Sequence, residues 1–151
     1  MDMSKKTTKE VLEAGFTLVE MMAVLAIMSL LVITVVVNLR PALDRGNATK
    51  AKADIRAFEQ ALELYRLDML DYPPETAGLA ALKTVPSGIP NADRYSPGGY
   101  VSNSIPKDPW GRDYLYRYPG QNGVYDVFSY GQDGQEGGEG PAADIVNWEF
   151  E

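Results

Sequence analysis

Residues 16–37 read FTLVEMMAVLAIMSLLVITVVV, an apolar run of 22 residues with a single charge, Glu20. As a helix the run extends about 33 Å at roughly 1.5 Å per residue, enough to cross a hydrocarbon layer of about 30 Å. A polar stretch with Lys5, Lys6 and Lys9 precedes it, and Arg40, Arg45, Lys50 and Lys52 follow. A secretory signal peptide would carry a shorter apolar region ending in a small-residue cleavage site. Here the small residues Ala14 and Gly15 come before the run, so a cut there leaves the apolar segment on the mature chain. Glu20 needs a reason, because a carboxylate costs about 2.5–3.5 kcal/mol at the centre of a bilayer and less towards the end, where it lies. A cut after Gly15 would make Phe16 the N-terminus and set its amine one helical turn from Glu20. The carboxylate then either pairs with such an amine, in its own chain or a neighbour, or snorkels to the interface. The local chemistry leaves both open.

Outward from this run the helical pattern continues. Ala48, Ala51, Ile55, Phe58, Leu62, Tyr65 and Met69 recur at steps of three and four, the spacing of one helix face. Lys52, Arg56, Glu59, Glu63 and Arg66 take the other faces. The two stretches predict one helix over residues 16–70, about 80 Å long, ending before Tyr72-Pro73-Pro74. Pro41 removes a backbone donor and crowds the preceding turn, and Gly46 costs about 1 kcal/mol relative to Ala. A kink or locally unwound stretch is expected near residues 37–46. Nine of the ten prolines lie beyond residue 71, so long helices end there. Residues 76–83 (TAGLAALK) predict a short helix with Thr76 as N-cap. DYLYRY (113–118) and VYDVFSY (124–130) read as strands joined through Pro119-Gly120-Gln121-Asn122-Gly123, a hairpin signal. IVNWEF (145–150) reads as a weaker final strand. The pattern is α+β: a long helix packed on a small antiparallel sheet.

The chain has 151 residues, with 21 acidic against 14 basic side chains and a net charge of −7. That balance argues against nucleic-acid binding, which calls for a basic patch. There is no cysteine and no histidine. A disulfide framework, a thiolate nucleophile and a cysteine zinc site are excluded, and the commonest general base is missing. No P-loop, nucleophile elbow or histidine-containing triad is present, so the chain does not read as an enzyme. Any metal site must be built from oxygen, which suits hard cations such as calcium. The mean hydropathy of −0.22 averages an apolar anchor with a polar remainder.

Residues 130–144 read YGQDGQEGGEGPAAD and hold Asp133, Glu136, Glu139 and Asp144 among five glycines. Glycine lets carbonyls turn inward, and calcium takes six to eight oxygens from carboxylates, carbonyls and water. The residues alone leave a cation site and a flexible solvated acidic loop equally open. The loop is not an EF-hand: Gln135 and Gly137 stand at the third and fifth positions counted from Asp133, and Asp144 stands at the twelfth in place of Glu. Asp108-Pro109-Trp110-Gly111 reads as a tight turn that buries an indole, a structural element rather than a ligand site.

The leader with Gly15-Phe16-Thr17-Leu18-Val19-Glu20 before an apolar run resembles the type IV pilin-like superfamily, including the type II secretion pseudopilins. Tyr72-Pro73, Gly78-Leu79, Ala81-Leu82, Gly98-Gly99-Tyr100, Asp108-Pro109-Trp110-Gly111, Phe128-Ser129 and the tail through Asp144-Ile145 and Asn147-Trp148 are similar to the major pseudopilin family of that system. Val37 stands before Asn38-Leu39 where many members carry proline, and Pro41 follows four residues after Val37. The resemblance implies three segments: a prepilin leader (1–15), a transmembrane and polymerisation helix (16–37), and a periplasmic pilin-like domain (38–151) that includes the second half of the helix. It implies cleavage by a prepilin peptidase between Gly15 and Phe16, N-methylation of Phe16, and Glu20 as the assembly carboxylate. It also implies a structural calcium held by Asp133, Asp144 and the Tyr130 carbonyl, with the Gln135 carbonyl and Glu139 as further candidates. Ala143 stands where some relatives have another acid. The implied function is that of a subunit which polymerises into a periplasmic pseudopilus and supports export of folded proteins through the outer membrane. The implied partners are further copies of the chain, minor pseudopilins, the prepilin peptidase, the inner-membrane assembly platform and secreted proteins. The implied location is a single pass through the inner membrane of a Gram-negative bacterium, with the head in the periplasm. Two rival readings are a type IV pilus major pilin and a membrane-tethered calcium-binding module. Many type IV pilins close their C-terminal loop with a disulfide, which this chain cannot form, and the tethered module leaves the leader motif unexplained.

Overall fold

The computed structural model describes residues 16–150. Gly15 and the leader lie outside the described residues. The chain forms two compact units that divide after Arg40.

Helix α1 runs over Leu18–Met69. In the N-terminal unit its apolar side chains are exposed, Leu18 at 78% and Val19 at 72% among them. The most apolar 18-residue window of the helix averages a hydropathy of 2.6, with none of it buried. This is one helix, among the described residues, long and apolar enough to cross a membrane. Pro41 lies inside α1 and the helix continues through it and through Gly46. Of the kink or locally unwound stretch expected near residues 37–46, the unwound form is absent, since the segment is helical throughout. Proline removes one donor from the ladder, and the turns on both sides keep theirs.

The second unit is built on the C-terminal part of α1. Every expected stripe residue faces the core: Ala51, Ile55, Phe58, Leu62, Tyr65 and Met69 are buried, and Ala48 packs against them. Ala61 joins them. The helix stops where Leu70 takes φ 68°, its N–H still donating to the Arg66 carbonyl at 2.8 Å. A left-handed residue just past the last turn is a common helix terminator, usually glycine. Pro73 and Pro74 then keep the chain from resuming.

Residues 76–83 depart from expectation. The helix is 3₁₀, spans Gly78–Leu82, and has no side-chain cap from Thr76. The Pro74 carbonyl instead accepts the N–H groups of Ala77 (2.9 Å) and Gly78 (3.1 Å). The tighter turn presses Leu79, Ala81 and Leu82 into the core beside α1. The Pro/Gly-rich connection that follows folds back: Tyr100 N–H donates to the Leu82 carbonyl at 2.7 Å. Gly99 makes the approach possible, because a Cβ there would lie 2.8 Å from the Leu82 carbonyl oxygen. Tyr65, Tyr95 and Tyr100 meet edge to face over this contact.

The sheet has three antiparallel strands in the order β1 (Leu115–Arg117), β2 (Asp126–Ser129) and β3 (Ile145–Val146). The expected hairpin and third strand are present, each strand shorter than the sequence suggests. β2 is buried at every position because it is central. Val127 faces the α1 stripe, while Phe128 meets Trp148 and Tyr130. Asp126, fully buried, accepts hydrogen bonds from Gln121 N–H (2.8 Å) and from Asn122 N–H and Nδ2 (3.1 and 3.2 Å). It thereby closes the hairpin loop. Tyr114 donates to Asp54 at 2.7 Å, Tyr116 to the Pro73 carbonyl at 2.9 Å, and Asn147 to Glu59 at 3.3 Å. These bonds tie the sheet and its flanks to α1 and to the turn that follows it.

Candidate functional site

Two places carry functional chemistry, one in each unit. At the start of α1, Thr17 is the residue before the first helical position and Glu20 lies three residues on. Thr17 N–H and Oγ1 both donate to Glu20 Oε2, at 2.8 and 3.0 Å, while Glu20 N–H donates to Thr17 Oγ1 at 3.2 Å. This reciprocal pair is a capping box, which satisfies two N–H groups that a helix start leaves open. The Thr-x-x-Glu spacing signals it in the sequence. The capping box holds the lone carboxylate of the apolar segment near its start, bonded to Thr17, the second residue after the expected cut.

The second place is the segment 130–144. Its first turn closes where Gly134 N–H donates to the Tyr130 carbonyl at 3.1 Å. Asp133 Oδ1 accepts Gln135 N–H at 3.1 Å, and Asp144 Oδ2 accepts Gly137 N–H at 2.9 Å. Asp144 Oδ1 is buried and has no hydrogen-bond partner. A buried carboxylate oxygen without a donor is unfavourable, and a bound cation would supply what it lacks. All five glycines of the segment have positive φ, from 59° at Gly131 to 94° at Gly137. These are conformations that redirect carbonyls and that other residues rarely adopt. Glu136 and Glu139 are exposed, and the Glu139 carbonyl accepts Ala142 N–H at 3.2 Å. Among the described residues no three acidic side chains are grouped as a metal site. The donors that fit a cation here are therefore one or two carboxylates with backbone carbonyls, an all-oxygen set suited to a hard ion.

Comparison with known proteins agrees with this architecture. The family described as "Type II secretion system (T2SS), protein G" matches residues 38–148. The chain belongs to the type II secretion system protein G family. The family described as "Prokaryotic N-terminal methylation motif" matches residues 12–36, which include the capping box. Type II secretion system core protein G of Vibrio cholerae is 48% identical over 92% of this chain and 94% of its own length. The protein of the same name from Pseudomonas aeruginosa is 42% identical over 91% of this chain and 96% of its own. The crystal structure of the major pseudopilin from the type 2 secretion system of enterohaemorrhagic Escherichia coli superposes with a TM-score of 0.62. That match has 39% identity and covers 71% of this chain and 87% of that one. In this protein G family member the Asp-Pro-Trp-Gly motif is a turn, as expected: Gly111 N–H donates to the Asp108 carbonyl at 2.9 Å. The indole is half-buried against the core, with Nε1 buried. Asp108 and Arg112 frame that turn; Asp108 bonds Ser129 of β2 and Arg112 reaches Gly131 of the 130–144 segment, contacts that no short sequence signal discloses.

Proposed function

We propose that this chain is a structural subunit that polymerises into the periplasmic pseudopilus of the type II secretion system and so supports export of folded proteins. The observation that carries the proposal is the lone carboxylate of an unburied apolar helix, held at the helix start by a capping box in a member of the protein G family. The helix anchors the subunit by a single pass through the inner membrane, with the head in the periplasm. Prepilin peptidase cuts between Gly15 and Phe16 and methylates the new amine. The charged amine and Glu20 are then the only opposite charges in apolar surroundings, and pairing them between subunits offsets the cost of burying each. Further copies, minor pseudopilins and the assembly platform are the partners of this step, and secreted proteins are the load. No reaction is catalysed, in keeping with a chain without histidine or cysteine.

The 130–144 segment holds a structural calcium ion in this reading. Asp144 and Asp133 supply carboxylate oxygens, the Tyr130 carbonyl a further ligand, and the Gln135 carbonyl or Glu139 completes the protein donors. The ion cross-links the loop in a head that has no disulfide. The unpartnered Asp144 oxygen supports this assignment.

Intact mass spectrometry and secretion assays on a Glu20→Ala chain test the assembly role. The expected product is residues 16–151 with one added methyl group, as for the parent, but no fibre and no export. Normal fibres from Glu20→Ala would refute the role of the carboxylate, and an uncut N-terminus in the parent would favour the tethered module.

A further inference from the structure

The turn that follows the long connection does more than reverse the chain. Asp108 is 5% exposed. Its Oδ1 accepts Trp110 N–H at 3.0 Å and Arg112 N–H at 2.8 Å, and its Oδ2 accepts Ser129 Oγ of β2 at 2.7 Å. Asp108 N–H donates in turn to the Arg112 carbonyl at 2.7 Å. The Arg112 backbone is thus closed onto Asp108 from both sides. The Arg112 side chain leaves this anchor and reaches the 130–144 segment. Its Nε lies 3.8 Å from Asp108 Oδ2, and its Nη2 donates to the Gly131 carbonyl. Its guanidinium plane covers Gly134, where a Cβ would lie 3.0 Å from Nη1 and 3.1 Å from Cζ. Gly131 and Gly134 bound the turn that presents the Tyr130 carbonyl.

We propose that Arg112, held by Asp108, is the positioning residue of the cation loop: it fixes the Tyr130–Gly134 turn before an ion arrives. This rests on the calcium reading above. Two physical arguments support it. A fork is needed, because one end of the guanidinium faces the Asp108 carboxylate while another bonds the Gly131 carbonyl. Lysine, a point charge on a flexible stem, cannot reproduce both with fixed geometry. Charge balance is needed as well, because an unpaired guanidinium beside a cation site would repel the ion. The buried Asp108 carboxylate offsets it, so the clamp adds geometry to the site without adding net charge.

The test uses the full chain in detergent micelles, comparing the parent with Arg112→Met and Arg112→Lys. Amide hydrogen exchange at Gly134 in EGTA reports the turn itself, and calorimetric titration with calcium chloride reports the ion. Arg112→Met is expected to speed Gly134 exchange about tenfold in EGTA. It is also expected to weaken calcium binding about 10- to 100-fold, the usual loss when an outer partner of a metal site is removed. Arg112→Lys should fail to restore either. Unchanged Gly134 exchange in Arg112→Met would overturn the proposal, even with a lower melting temperature, because that pattern marks a merely structural side chain. Faster exchange with an unaltered calcium affinity would overturn the positioning role as well. If the parent gives no calcium heat while Arg112→Met still loosens Gly134, the calcium reading fails and the ordering of the turn by Arg112 stands.

Discussion

Asp144 has one carboxylate oxygen bonded to Gly137 N–H and the other buried without a donor. That asymmetry gives opposite expectations with and without an ion. In EGTA, Asp144→Asn should be no less stable than the parent, because a neutral amide costs less to bury than a carboxylate and its oxygen can still accept Gly137 N–H. In calcium at a hundredfold excess over Kd the parent should gain about 2.7 kcal/mol, and the variant should gain little or nothing. Thermal melts in the two buffers measure both, and a parent that melts at the same temperature with calcium as with EGTA would defeat the ion assignment. The candidate ligands Asp133 and Asp144 were legible in the sequence as acids among glycines. Asp126 was not. Strand alternation sets it on one face with Val124, Phe128 and Tyr130 without marking a role, and only the hairpin loop folding over it reveals a buried acceptor for three donors. The Thr17–Glu20 capping box is written in the sequence in full, as Thr-x-x-Glu before an apolar run.

The elements differ in how much they depend on distant parts of the chain. The α1 stripe is local, because spacing at three and four residues specifies a face whatever the partner. Its consequences are steep. Leu62 is fully buried and Leu64, two positions on, is 53% exposed. Leu62→Ala should cost about 2–5 kcal/mol, whereas Leu64→Ala should stay within about 0.5 kcal/mol. Denaturant unfolding of the two variants would separate them, and equal losses would contradict this packing. The strands are less local. β3 has two residues, Ile145–Val146, before the chain turns into a 3₁₀ helix at Asn147. The reason is tertiary: Asn147 Oδ1 accepts Val127 N–H at 2.9 Å, and its Nδ2 reaches Glu59. A side chain thus takes the place of the strand's next ladder bond. The Gly78–Leu82 segment is likewise set by the Pro74 carbonyl rather than by Thr76.

At the scale of the molecule, the head is welded by tyrosines. Tyr72 is pushed up from 10.0 to about 12, first by burial and then by the hydrogen bond it donates to Glu63. Tyr114, Tyr116 and Tyr125 are also raised, chiefly by burial. A phenol raised on folding keeps its proton in the folded chain where the unfolded chain has lost it. Stability from Tyr72 is therefore complete below pH 10 and is lost as pH climbs through about 12. Melting temperature should be flat in this respect up to pH 10 and fall above it, with tyrosinate absorbance rising together with unfolding. Tyr72→Phe should flatten part of the slope. A chain that ionises its tyrosines well before it unfolds would show that these rings are not buried as described. By itself the sequence determined the membrane-length helix, the helical stripe, the α+β order and the restriction of any metal site to oxygen donors, because each depends on composition or on spacing along a few turns. The tertiary structure alone decided that α1 runs unbroken through Pro41, that Asp126 and Asp108 are buried acceptors, and that Arg112 reaches Gly131. The partners of Asp126 and Arg112 are largely backbone groups, which carry no mark in the sequence until folding brings them within reach.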